Sequence, residues 1–334
     1  MSSLQENSGP IFIVGMNGSG TTMLLDCLGR HSQLYAFHKE VRLIPYILKE
    51  ASRFNTLRTA DDRAAYAHWI LSLPVFAAVA AETPPAAPTL GDCPADAAAV
   101  LDRVFHAFAA SAGKVRWAEK SPQNAQHIAR LAGAFKDARF VHVLRDGRDA
   151  AASFQRRWLR DPQLTIYRWK KVVQLARRDG QQLGAQRYLE VTYETLTAQP
   201  EQTLREICEF LALPFEPVVL ESSRPYLDAP GESGQGISVN SGRWKKHFSA
   251  STLQRLEGIA GNTLAEFGYT PANPEAAGDA DLGKGTLRWL RSKDAVRQFL
   301  REIRLKLKGE IARPWSVILA KPLGALRQRG ENTY

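Results

Sequence analysis

Short apolar runs alternate along this chain with longer stretches in which apolar positions recur every three or four residues. Residues 11–14 (IFIV) and 138–144 (ARFVHVL) are apolar runs that predict buried parallel strands, and 187–193 (RYLEVTY) reads as a third strand. A shorter run at 115–118 (VRWA) predicts a fourth strand leading into EKSPQN. Helical spacing follows at 21–31, 61–73 and 101–112, from near Arg148, through Trp169 and Val173, and from Pro200 and Ser249. The stretch HSQLYAFHKEVRLIPYILKEA crosses from loop into helix, and the Ala- and Pro-rich residues 77–98 read as a surface excursion or lid. Strands alternating with helices predict an α/β fold, a parallel β-sheet with helices on both faces.

At 334 residues the chain is long enough for a large core, and it contains no apolar run of spanning length. The polar start MSSLQENSGP lacks a secretory pattern. Cys27, Cys93 and Cys208 are too scattered for a disulfide framework or a zinc site, so a reducing, cytoplasmic setting is expected. The net charge of +10 is localised: residues 284–329 carry 13 Lys/Arg against three acidic residues, and the rest is neutral overall. This divides the chain into a catalytic body, 1–273, and a basic extension, 274–334.

Chemistry enters with GMNGSGTT, residues 15–22, between the first strand and the first helix. The spacing is that of a phosphate loop, but Thr21 stands where a triphosphate-binding loop carries lysine. Backbone N–H groups from Gly18 through Ser19, Gly20, Thr21 and Thr22 would converge on an anion at a helix N-terminus. Without the lysine, a single phosphate, or a phosphate bearing one singly charged group, suits the loop better than a triphosphate. A second anion site is expected at the end of the strand 138–144, where Arg145 is followed by Ser153 and Arg157, one helical turn apart. The alternative for RDGRD is a charged turn whose Arg and Asp pair with each other. Two separated phosphate sites point to a nucleotide with 5′ and 3′ phosphates.

These motifs resemble the sulfotransferases that use 3′-phosphoadenosine 5′-phosphosulfate (PAPS). GSGTT is similar to their 5′-phosphosulfate loop and RDGRDAAAS to their 3′-phosphate motif, and the likeness extends over roughly residues 10–270. FHKEVRLIP and WAEKSP resemble the branch containing tyrosylprotein sulfotransferases and related bacterial enzymes. The resemblance implies Glu40 as general base, Arg42 as a substrate or active-site partner and Lys120 as the catalytic lysine; Tyr193, Arg243 and Trp244 fall on the 3′-phosphate side. PAPS is then the co-substrate, its bisphosphate the product, and no metal is required. His38, two residues from Glu40, is the rival base. Asn17 and Gly18 replace the Pro-Arg usual in the family and remove a cation from the sulfonate side.

The expected reaction is sulfuryl transfer to a hydroxyl on a carbohydrate, a lipid-linked compound or another small metabolite, with acceptor choice in residues 43–115. Protein-tyrosine transfer, an inactive nucleotide-binding module that tethers a partner, and an atypical kinase are the alternatives. The basic extension predicts contact with an anionic membrane surface, or a helix packed on its own domain or on a second subunit of a homodimer. Nucleic acid is not an expected partner.

Overall fold

The computed structural model describes residues 9–42, 44–221, 237 and 241–309. Five parallel strands form one sheet: β1 (Ile11–Gly15), β2 (Leu34–Phe37), β3 (Arg116–Lys120), β4 (Arg139–Leu144) and β5 (Tyr188–Thr192), in the order β2-β3-β1-β4-β5. The strand missing from the sequence reading is β2, a four-residue edge strand too short to show a period of its own. β3 continues to Lys120, past the apolar residues that suggested it, because its neighbours on both sides extend the ladder.

The helices are α1 (Thr21–Leu28), α2 (Ile44–Glu50), α3 (Ala60–Ser72), α4 (Pro74–Glu82), α5 (Ala97–Ser111) and α6 (Ile128–Ala134). Then come α7 (Gly147–Trp158), α8 (Pro162–Gln181), α9 (Tyr193–Ala198), α10 (Pro200–Leu211), α11 (Trp244–His247), α12 (Ala250–Glu266) and α13 (Lys284–Leu307). Local chemistry sets several boundaries. Thr59 and Asp62 form a reciprocal capping box for α3, Asp96 caps α5, Pro200 occupies the first turn of α10 and Ser249 caps α12. The expected excursion at 77–98 begins as α4, whose Pro74 is tolerated in its first turn.

The chain divides into two compact units. The first comprises residues up to 145 and the segment from 175, and contains the sheet. One face of that sheet buries Ile11, Ile13, Val141 and Val143 among Met23, Leu24, Leu204 and Ile207 of α1 and α10. The opposite face is aromatic: Phe12 stacks on Phe140 and meets Trp117 edge-on, and Trp117 stacks on Phe105 of α5. Alternate residues of one strand thus supply two cores, which is why β1 reads as a continuous apolar run.

The second unit includes residues 146–174 and, among those described, 241–309. Here Gly147 begins α7 where no side chain fits, since a Cβ would lie 2.5 Å from Trp169. No single helix among the described residues is long and apolar enough to cross a membrane.

Candidate active site

The carboxyl ends of all five strands deliver one element each to a single edge of the sheet. Across it lie Glu40, three residues beyond β2; Lys120, the last residue of β3; the glycine loop after β1; Arg145 after β4; and Tyr193 after β5. Open parallel sheets bind ligands at this edge, because strands and helix N-termini both present unpaired polar groups there.

The loop at residues 16–20 is shaped by its glycines. Gly18 and Gly20 have φ of +85° and +97°, a region that side-chain-bearing residues enter only with strain. A Cβ on Gly20 would also sit 2.6 Å from the Tyr193 ring. Arg145, itself buried, lies over that ring at 4.2 Å and donates from Nη1 to the Gly18 carbonyl at 2.8 Å. An arginine in place of Gly18 would be strained at this φ; the cation nearest the loop comes instead from the neighbouring strand. The N-terminus of α1 has no side-chain cap and no acidic residue in its first turn. Ser19 is buried and its hydroxyl has no hydrogen-bond partner among the described residues. Thr21 is buried beside it and Thr22 exposed. A buried hydroxyl left unmatched at an uncapped helix start fits an anion.

Lys120 Nζ and Glu40 Oε1 form an ion pair at 2.7 Å, the lysine buried and the glutamate partly open. Arg42 Nε donates to the other carboxylate oxygen at 2.7 Å. Burial by itself raises the Glu40 pKa, but Lys120 and then Arg42 outweigh it and hold the carboxyl below its ordinary value. Glu40 is therefore ionised at neutral pH. His38 turns elsewhere, with Nε2 3.0 Å from Glu82 of α4, a residue that also holds Lys39 at 3.0 Å.

One residue that sequence reasoning passed over stands beside the pair. Glu119, fully buried in β3, accepts from the Val41 N–H at 3.0 Å, from Asn124 Nδ2 at 2.9 Å and from the Ser121 hydroxyl. It ties the chain between Glu40 and Arg42 to the turn after Lys120. Burial pushes its carboxyl up to about 7, against those donors. The signal available was a carboxylate directly before the lysine singled out, in the segment RWAEK, whose five residues are all buried in the strand.

The second unit, by itself, holds the remaining residues. Ser153 and Arg157 share a face of α7; Ser153 is fully buried, and its hydroxyl has no hydrogen-bond partner among the described residues. Arg148 Nη2 donates to Asp146 at 2.8 Å, and Nη1 to Glu257 at 2.7 Å and to the Thr270 carbonyl at 3.1 Å. Its guanidinium lies 3.8 Å over Trp244. Asp149 accepts the N–H groups of Gly242 and Trp244, which fixes Arg243 between them at the start of α11. Within RDGRD, Arg148 and Asp146 pair with each other as in a charged turn, while Arg145 donates to the Gly18 carbonyl of the glycine loop.

Among the described residues, no group of three or more His, Cys, Asp or Glu could hold a metal ion.

Over residues 10–217, well over half of its length, the chain matches the model of the sulfotransferase family. It belongs to that family. Among its relatives, protein-tyrosine sulfotransferase 2 of Gallus gallus is 25% identical over 300 residues, covering 81% of this chain and 72% of the chicken protein. Protein-tyrosine sulfotransferase A of Caenorhabditis elegans is 26% identical over 63% of this chain and 51% of its own. An uncharacterised protein of Aquifex aeolicus is 27% identical over 64% of this chain, which spans 26% of that protein. The sulfotransferase domain from the curacin biosynthetic pathway shares the fold at a TM-score of 0.51 and 20% identity, over 78% of this chain and 98% of that domain. The sulfotransferase domain of the Synechococcus PCC 7002 olefin synthase superposes at 0.50 with 22% identity, over 76% and 95%. The α/β sulfotransferase fold and membership of this enzyme family are therefore established.

Proposed function

We propose that this sulfotransferase moves the sulfuryl group of PAPS onto a hydroxyl of a carbohydrate, a lipid-linked compound or another small metabolite, with Glu40 as general base. The observation that carries the reading is the Glu40–Lys120 pair at 2.7 Å, on the same sheet edge as a lysine-free glycine loop. When bound, PAPS supplies a sulfuryl group on a phosphate oxygen able to leave. The amides of residues 18–22, with the Ser19 and Thr21 hydroxyls, suit its 5′ side. Family resemblance assigns Arg145, Ser153, Arg157, Tyr193, Arg243 and Trp244 to the rest of the nucleotide.

Glu40 Oε1 accepts from Lys120 alone among the described residues, which leaves it a lone pair for the acceptor hydroxyl. Glu40 takes that proton as the acceptor oxygen approaches sulfur in line with the leaving oxygen, a role worth about 10²–10⁴-fold. Lys120 neutralises charge on the oxygen that departs. Arg42 holds Glu40 in place and, after Lys120, lowers its pKa.

Purified protein is expected to bind adenosine 3′,5′-bisphosphate far more tightly than ATP and to transfer labelled sulfate in a screen of sugars, lipids, phenols and tyrosine peptides. Equal or reversed nucleotide preference would sink the PAPS assignment. Tight bisphosphate binding without transfer to any acceptor would favour an inactive nucleotide-binding module. A second reading, tyrosine peptides as acceptor, is favoured by the similarity to the chicken protein over 81% of the chain, and the same screen separates it.

A further inference from the structure

Helix α13 is amphipathic on two sides. Its inner side is closed within the second unit: Leu290 and Asp294 are buried, Asp294 accepts the Asp161 N–H at 2.9 Å and pairs with Arg160, and Arg297 reaches Asp161 at 3.3 Å. Gln298 and Arg301 donate to the carbonyls of Trp158 and Arg157. A second apolar set points away from this seam. Trp289, Val296, Leu300 and Leu307 are 59%, 57%, 58% and 73% exposed.

At 3.6 residues per turn these four side chains fall within about 40° of one another, in a stripe about 27 Å long. The stripe lies about 140° around the helix from Asp294. Lys293 and Arg304 border it on one side, and Arg288 stands on the other. Lys293 Nζ sits 4.7 Å over the Trp289 ring and 3.8 Å from the Asp161 carboxylate, at the border between the stripe and the inner seam. Of the two acidic residues in α13, Asp294 is turned inward.

We propose that this outer face is a docking surface for an anionic lipid headgroup layer. Trp289, Val296, Leu300 and Leu307 enter the interface, and Lys293, Arg304 and Arg288 lie against the phosphates. Charge complementarity decides the occupant. A second copy laid along the same stripe would bring cations against cations, whereas an anionic surface matches them along its whole length. The inference is independent of the sulfuryl-transfer chemistry.

The test is flotation of the full chain with vesicles of phosphatidylcholine mixed with phosphatidylglycerol, and of phosphatidylcholine alone. Recovery is expected with the mixed vesicles and is expected to fall as salt rises. Leu300→Asp should lower partitioning at least about tenfold, and Arg304→Glu at least about fivefold. Because both residues lie on the outer face, nucleotide binding and thermal midpoint should stay at the parent's values. Val296→Ser with Leu300→Ser provides an uncharged version of the same test. Equal recovery of parent and variants would overturn the proposal, as would equal partitioning into phosphatidylcholine alone. A dimer in sedimentation that Leu300→Asp dissolves, with no flotation of the parent, would assign the face to a second copy and overturn it too.

Discussion

Glu40 and Glu257 are each held by an arginine, yet one is poised and the other closed. Glu257 in α12 accepts from Arg148, from the Ala272 and Asn273 N–H groups and from the Asn273 side chain, and it is wholly buried. Glu40 accepts from Lys120 at one oxygen and from Arg42 at the other, and stays partly open. Both carboxyls sit below their ordinary pKa, although burial pushes each the other way. Ionisation alone therefore does not single out Glu40 as the proposed base. Spare accepting capacity at an open edge does, while a saturated carboxylate holds structure.

The comparison breaks most sharply at Glu40. Glu40→Ala should reduce kcat by about 10²–10⁴-fold while leaving adenosine 3′,5′-bisphosphate affinity near the parent value. Turnover within a few-fold of the parent would reject Glu40 as the base. At the closed site the expected loss is of another kind. Glu257→Ala leaves the Arg148 charge buried without one of its two carboxylates, and should lower stability by about 3–5 kcal/mol in denaturant unfolding. An unchanged midpoint would show that the network does not support the fold.

Glu119 lies between the two types, saturated like Glu257 but adjacent to Glu40. Glu119→Gln presents an amide donor to groups that already donate, so Val41 and the Glu40 loop should shift and kcat fall by about 10-fold or more. Its folded pKa, raised from 4.5 to about 7, gives a second readout. The stability that Glu119 contributes is complete below 4.5 and lost as pH rises through about 7, so the variant should lack that slope. A parent and variant with superimposable stability–pH curves would contradict this assignment. The smallest effect is expected at Arg42, which is mostly exposed. Arg42→Gln should change kcat by only a few-fold, and should move the acid limb of the pH–rate profile upward because one of the groups lowering the Glu40 pKa is gone. A downward or absent shift would show that Arg42 does not tune Glu40.

Much of the sheet was legible because β1 is apolar on both faces and β4 and β5 are rich in apolar, β-prone residues, and the glycine loop because its spacing is unusual. β2 escaped notice: four residues followed by the charged HKE carry no period, and pairing with β3 alone makes the segment a strand. At the site, the family resemblance singled out Glu40, Arg42 and Lys120 and the strand-end position singled out Arg145, but neither the ties of Glu119 nor the reach of Arg145 to Gly18 could be read. That Arg145 would cover Gly18 depends on β4 lying beside β1, a tertiary fact with no local trace. Arg148 and Arg145 look alike in RDGRD, and only the position of Glu257, more than a hundred residues away in sequence, separates their roles.

The delivery of one site element from each strand end has a consequence for how this enzyme acquires activity as it folds. Parallel register moves in whole residues, and a slip of one would turn the following side chain to the other face. β5, the last strand among the described residues, is followed by Tyr193, whose ring packs against Gly20. A refolding chain should therefore regain bisphosphate binding only after β5 has docked, later than the burial of Trp117 in the aromatic core. Catalytic competence would then report completed assembly of the sheet, and a partly folded chain would be inactive.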